Sequence, residues 1–402
     1  MDNNKLPREF YHFLFARLFF VLGTRVITTI VIYQVFHLAN TFFVGIAGLA
    51  EFIPAVIAAI FAGHYIDKHN KKNILLWSYL CYLFCGLSLA IVSLPQVQLP
   101  MHSRVFIILT VVFCTGIIRS FAGPSANSMI AAIVPRENLQ RAISLNSSTY
   151  LTSSIAGHAG GGFLIAVAGI SNAYFATAGL ILAAGSIAWQ LKPKHPVYVG
   201  KEPALQAIKH GFSFVFNNKN LLGVITLDLF AVLFGGAVAF IPEIADKILH
   251  TGPIGYGFLN AAMDVGSLVS ILALLRFPMK KKQGKKMMVA VACFGACIIL
   301  FGLSKVYWLS FAALAIAGFF DGISVVVRGT IQQLNTPDEL RGRVSSINLI
   351  FINSSNELGQ FESGMTSRLF GTLPAIIFGG AMSMVIVAIT WIRFPNLKKV
   401  EY

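Results

Sequence analysis

Apolar residues along this chain come in runs of about 20 or more, separated by short polar stretches rich in Lys, Asn, Gly and Pro. Runs of that length match helices that cross a hydrocarbon layer of ~30 Å. Twelve are predicted, at 10–33, 42–64, 73–94, 105–134, 142–166, 169–191, 220–245, 254–276, 287–304, 307–334, 344–370 and 373–394. Strands crossing a bilayer would alternate polar and apolar residues, and these runs do not, so the spans are helices. After the sixth span comes the polar stretch Lys192–Asn220, with Pro193, Pro196 and Pro203. Within it a short surface helix is expected at Ala204–Phe216. The division expected is an N-terminal six-helix bundle at 1–191, a cytoplasmic linker at 192–219 and a C-terminal six-helix bundle at 220–402.

The two halves repeat each other. PRENLQRAISLNSSTYLTSSIAGHAGGG from Pro135 meets PDELRGRVSSINLIFINSSNELGQFESG from Pro337 at a shift of 202 without a gap. Pro135 meets Pro337, Arg141 meets Arg343, Asn146 meets Asn348, and Gly157 and Gly162 meet Gly359 and Gly364. A shift of half the chain length reads as two tandem copies of one unit. The fold class expected is an all-α membrane protein with twelve transmembrane helices in two pseudo-symmetric bundles.

Composition agrees with that reading. Hydrophobic residues make up 56% of the chain and charged residues 12%, about half of the ~25% usual in a soluble domain. The first span is too long and its flank too polar for a cleavable signal peptide. The net charge of +15 raises the question of nucleic acid, but its distribution answers it. With both termini in the cytoplasm, 23 of the 31 Lys and Arg residues lie on cytoplasmic segments. Only Arg104, Lys247, Lys305 and Arg368 lie on the opposite side, and Arg17, Arg25, Arg119 and Arg328 lie within spans. This asymmetry sets the orientation of a multi-pass protein of the cytoplasmic (inner) membrane and accounts for the charge without a nucleic-acid partner. Cys81, Cys85, Cys114, Cys293 and Cys297 all sit in apolar runs with no His or acidic neighbour to complete a metal site, so packing is their expected role. There is no Gly-x-x-x-x-Gly-Lys-Ser/Thr loop for a nucleotide phosphate, and no nucleophile–base pair is visible, so neither an ATPase nor an enzyme is expected.

Charges inside the spans carry the functional reading. One left alone at the bilayer centre costs at least ~2.5–3.5 kcal/mol, so each should face a partner or a water-filled cavity. Near helix ends Arg25, Arg328 and Glu51 have a bland alternative, which is to snorkel toward water. Arg17, Arg119, Asp228, Asp264 and Asp321 lie deeper. Arg17 and Asp228 occupy matching places at a shift of 211, and Arg119 and Asp321 at 202. Pseudo-symmetry therefore sets Arg against Asp across a cavity; pairing within each bundle is the alternative. In span 11, Asn353, Asn356, Glu357 and Gln360 share one helical face with Gly364. Interhelical hydrogen bonding would explain the amides, at ~0.6 kcal/mol per contact. Glu357 exceeds that role and is the first candidate for a proton or cation site, with Asp264 next.

The loop after span 2 reads GHYIDKHNKK from Gly63. A small residue at Gly63 allows close helix approach, Asp67 can accept hydrogen bonds at a helix terminus, and Lys71 and Lys72 hold the loop on the cytoplasmic side. The loop resembles a signature of the major facilitator superfamily. Gly63, Asp67, Lys71 and Lys72 match it, while Asn70 stands where Gly is usual. A second signature of that superfamily, Arg-x-x-x-Gly-Pro, is matched by Arg119, Gly123 and Pro124. The repeated loops before spans 5 and 11, with YGFLNAA at Tyr256–Ala262, resemble the exporter-type branch that contains the enterobactin exporter. The resemblance implies alternating access between two six-helix bundles, a gating role for the Gly63–Lys72 loop, and ion- or proton-coupled export of a small organic molecule, siderophore- or drug-like. It implies no cofactor. His158 stands where the antiporter pattern has Pro, which weakens the case for proton antiport through that motif. Import by the same fold and a non-transporting receptor remain as alternatives. Partners expected are the small-molecule substrate, a coupling ion (H⁺ first) and the lipid bilayer, with the protein as a monomer.

Overall fold

Two glycines 202 residues apart set the plan of the chain. Gly169 has φ 77° and ψ 169°, and Gly371 has φ 86° and ψ 161°. Both lie in the left-handed region, where a side chain would clash with the backbone. Each ends one helix and turns the chain into the next. The repeat extends to the loop before each of these hairpins, where Asn138 N–H donates to Pro135 O and Leu340 N–H to Pro337 O, both at 3.0 Å.

The computed structural model describes residues 6–193, 204–279, 281–337 and 340–401. The long helices are α1 (Arg8–Leu38), α2 (Thr41–Lys68), α3 (Lys71–Val92), α4 (Met101–Ile133), α5 (Leu139–Trp189), α6 (Ala204–Asn217), α7 (Lys219–Gly235), α8 (Gly252–Arg276), α9 (Gln283–Leu303), α10 (Tyr307–Leu334), α11 (Arg341–Phe370) and α12 (Thr372–Arg393). No strand occurs among the described residues. Ten of the helical segments are long and apolar enough to cross a membrane. One of them contains α5, which Gly169 divides into 139–168 and 170–189. Adding α11, which its polar stripe makes less apolar than the others, gives the twelve crossing helices the sequence predicts. Large apolar side chains such as Phe106, Trp308, Leu275 and Ile392 are exposed, as expected where lipid rather than water is the solvent.

The contacts divide the chain into two units, one of 1–38 and 50–201, the other of 39–49 and 202–402. This differs from the sequence's division in two places. The first turns of α2 group with the second unit, and so does α6. The surface helix expected at Ala204–Phe216 forms as α6; Phe212 and Val215 pack against Ile225, Val344 and Ile347 of the bundle, while Lys209, His210 and Phe216 are exposed. In the first unit, α1 and α3 pack on α5, and α3 on α4. Phe20 of α1 stacks on Tyr79 of α3 with ring centroids 4.0 Å apart. Gln34 takes a hydrogen bond from Tyr174 (3.0 Å) and gives one to Ser93 (2.9 Å), which ties three helices by one buried amide.

In the second unit, α8 and α9 pack on α10, and α7 on α11 and α12. Span 7 is not the single helix expected. It breaks after Gly235–Gly236 and continues as short turns through Ile248, which leaves the Gly236 carbonyl to accept from Ser363 of α11 (2.9 Å). The tightest crossing joins α8 to α10. A Cβ on Gly266 would lie 1.8 Å from Ala315 O, and one on Gly318 would lie 2.0 Å from Met263 O. The two backbones touch, and Ser267 Oγ donates to Gly318 O at 2.9 Å. Gly318→Val is therefore expected to lower stability by more than the ~1–3 kcal/mol typical of overpacking, because backbone rather than a side chain must move. Gly329→Ala, on the same helix but with nothing within 4 Å, should be neutral or stabilising. Thermal unfolding in detergent compares them, and equal melting temperatures for the two variants would disprove the crossing.

Candidate functional site

The second unit gathers charge at its centre. Asp228 of α7 and Arg328 of α10 form an ion pair, and the two residues are only 5% and 4% exposed. The sequence allowed Arg328 to snorkel; it is instead a buried partner. Asp321 lies seven residues before Arg328, two turns away on the same face of α10. It shares with Asp228 and Ser324 a crevice of ≈ 10 Å³, about the space that one water needs. Asp264 of α8 is next to Met263, whose carbonyl meets Gly318 of α10, and so lies near the stretch that carries Asp321. The α8–α10 crossing explains this, since Asp264 is two residues from Gly266 and Asp321 three from Gly318. Three of the predicted carboxylates thus belong to one neighbourhood, with Arg328 as a cation among them.

The span 11 stripe is more divided. Glu357 is 8% exposed. Asn356 is exposed and donates to its own helix at Ile352 O (3.1 Å). Gln360 Nε2 donates to Val44 O, in the part of α2 that belongs to this unit, at 2.8 Å. The side chain of Asn353 lies outside the described residues. Gln360 therefore serves here as an interhelical tie, the bland role open to the amides.

In the first unit Arg119 pairs with Glu51 at 2.9 Å. For Arg119 this is the alternative left open by the sequence, a partner within its own bundle. Gly116, one turn before Arg119, makes this pairing possible. A Cβ there would lie 2.3 Å from Glu51 O, so only glycine lets α4 come this near α2. Arg25, also allowed to snorkel, donates instead to the Tyr150 hydroxyl and stacks over its ring. One turn on, Thr29 shares a hydrogen bond of 2.9 Å with His158 Nδ1. Arg17 is half-buried on α1.

The gating loop differs from expectation at one residue. A Cβ on Gly63 would meet nothing within 4 Å, so no close helix approach explains this glycine here. Asp67 is exposed. Lys72 Nζ donates to Trp189 O at 2.7 Å, which fastens α3 to the end of α5. Asn70, where the signature has Gly, caps α3 by accepting from Lys72 N–H at 3.1 Å. Lys71 begins the capped helix.

Sequence reasoning missed Tyr150 and Thr29 and undervalued Glu51 and Arg328. A signal was present, because Arg25 and Thr29 lie four apart and Tyr150 and His158 eight apart, each pair on one helical face.

The arrangement, ion pairs and like-charged carboxylates inside apolar helices, suits binding and moving a charged species rather than bond chemistry. Comparison with known proteins agrees. The family model of the Major Facilitator Superfamily matches residues 13–360. Enterobactin exporters EntS of Shigella boydii serotype 18 and Escherichia coli O1:K1 are each 26% identical over 306 residues, 76% of this chain and 71% of the exporter. Among solved structures, a D-xylose-proton symporter aligns with TM-score 0.75 at 15% identity, over 98% of this chain and 99% of that one. A POT family transporter in complex with 5-aminolevulinic acid aligns with TM-score 0.75 at 10% identity, over 98% and 97%. The chain belongs to the Major Facilitator Superfamily, and it is an integral membrane transporter rather than an enzyme.

Proposed function

We propose that this transporter exports a small organic molecule across the cytoplasmic membrane by alternating access, driven by exchange with protons or another cation. The observation that carries the coupling is the α8–α10 crossing, where backbone contact at Gly266 and Gly318 places Asp264 and Asp321 on adjoining stretches of two membrane-spanning helices. Like charges repel strongly in a medium of low dielectric, and a proton or cation bound between them removes the repulsion. Substrate release and ion release can then be exchanged through one set of carboxylates, with Asp228 and Arg328 beside them and Glu357 on α11. Arg17 and Arg119 supply positive charge in the other repeat. Similarity to enterobactin exporters supports export and a siderophore-like molecule over uptake. The distribution of Lys and Arg supports cytoplasmic termini, with the loop of Gly63, Asp67, Lys71 and Lys72 as a gate on that side.

The test uses proteoliposomes sorted by sidedness, with a catecholate siderophore and a cationic dye as labelled probes. The expected result is counterflow without a gradient, and accumulation from the cytoplasmic face when the opposite face is acidified. Accumulation only in the reverse direction would establish an importer, and counterflow indifferent to any cation gradient would remove the coupling.

A further inference from the structure

Five lysines, Lys280, Lys281, Lys282, Lys285 and Lys286, fall within seven residues that run from the α8–α9 connection into the first turn of α9. They count among the basic residues that orient the chain, but no step of the transport reading uses them. Lys282, Lys285 and Lys286 rim a groove of ≈ 530 Å³ in the second unit, whose floor includes Val289 of α9 and Phe320 and Ile323 of α10. All three lysines are exposed, and among the described residues none forms an ion pair. The backbone beneath them is fixed. Lys282 has φ 52°, its N–H donates to Glu401 Oε1 at 3.2 Å, and Gln283 N–H donates to Val400 O at 3.1 Å.

This charge is placed against the helix's own preference. The N-terminus of a helix favours anions, yet α9 has no acidic residue in its first turn, which holds Lys285 and Lys286. Three ammonium groups and a helix N-terminus therefore raise the potential at one point, and an anion would lower it. A soluble anion leaves the apolar floor unexplained. A nucleic acid would not enter a groove lined by Val289, Phe320 and Ile323. An amphiphile with an anionic head satisfies both parts, and the groove opens where membrane-spanning helices end in a basic loop, the level of lipid headgroups.

We propose that this groove is a binding site for an anionic phospholipid, with its phosphate among Lys282, Lys285 and Lys286 and an acyl chain along Val289, Phe320 and Ile323. Phe320 is the neighbour of Asp321, so a seated chain touches the helix that carries the coupling carboxylate. The inference does not depend on direction or substrate of transport, and lipid retention tests it separately from them.

The experiment is retention of phosphatidylglycerol against phosphatidylcholine by the purified full chain, read by native mass spectrometry after mixed-lipid nanodiscs. The wild type should retain phosphatidylglycerol selectively. Each lysine near an anionic headgroup contributes about fivefold, so Lys282→Gln/Lys285→Gln/Lys286→Gln should lose roughly a hundredfold of that preference. Lys286→Gln alone should lose about fivefold, which keeps the test open should the triple variant not fold. Arg136→Gln/Arg141→Gln, in the other unit, should retain the lipid as the wild type does. Glycerol phosphate should not displace it; displacement would make the groove a soluble-anion site and overturn the proposal. Equal retention of the two lipids by the wild type, or unchanged preference in the lysine variants, would overturn it as well.

Discussion

Asp228→Asn is expected to destabilise the protein by about 3–5 kcal/mol, the range for removing one partner of a buried ion pair. Arg328 is 4% exposed and cannot shed its proton as a carboxylate can take one up. Its guanidinium would keep its charge among Val327, Ile331 and the other apolar residues that close the core of α7, α9 and α10. Relaxation of the guanidinium toward water at the end of α10 limits the loss but requires the helix to unpack from α7. The double variant Asp228→Asn/Arg328→Met should recover most of the stability, since a pair replaced by neutral groups of similar volume is often no worse than the pair. Thermal unfolding in detergent of both single variants and the double one forms a cycle that isolates the pairwise contribution. Losses that simply add, or a single-variant loss under ~1 kcal/mol, would mean that the pair is solvated in the working protein.

Depth in the membrane was legible in the sequence; which helix faces which was not. Hydropathy set all twelve spans, and the shift of 202, read from Pro135 to Gly162, extends in the structure to the matching turns at Gly169 and Gly371. The same shift matches Arg119 with Asp321, but a repeat relates positions between halves and carries no information on contact; Arg119 pairs with Glu51, the within-bundle alternative. Glu51 and Arg328 looked like snorkelling residues by their distance from the helix ends. Their partners, Arg119 and Asp228, depend on how helices far apart in sequence rotate about their axes, and that is decided by close approaches such as Gly116 on Glu51 O. The break of span 7 at Gly235–Gly236 was visible as two glycines, yet glycine is frequent in membrane helices and only Ser363 reaching the Gly236 carbonyl gives the break a purpose. The polar residues of α11 were legible as a stripe, but their separate surroundings were not: Asn356 is exposed, Glu357 is buried, and the role of Gln360 needed its neighbour, Val44.

Asp321→Asn is expected to reduce gradient-driven accumulation roughly 100-fold, equivalent to ~2.7 kcal/mol of lost coupling, while exchange of substrate without a gradient stays within about threefold. An amide keeps the size and hydrogen-bonding capacity of the carboxyl but cannot cycle a proton or hold a cation by charge. Asp321 is the central member of its group: Asp264 lies on the adjoining stretch of α8, and Asp321 shares a crevice with Asp228. Asp228 is committed to Arg328, so it cannot bind and release a cation without breaking a buried pair. The same substitution removes a like-charge repulsion, so Asp321→Asn should leave the melting temperature unchanged or raise it, opposite in sign to Asp228→Asn. That difference separates loss of coupling from loss of fold. Asp264→Asn should be milder than Asp321→Asn, because it leaves one carboxylate at the crevice to carry the ion. Uptake into proteoliposomes under an imposed pH gradient, beside counterflow at equal pH, measures both arms. If Asp321→Asn retains gradient-driven accumulation and Glu357→Gln abolishes it, the coupling ion travels with α11 instead.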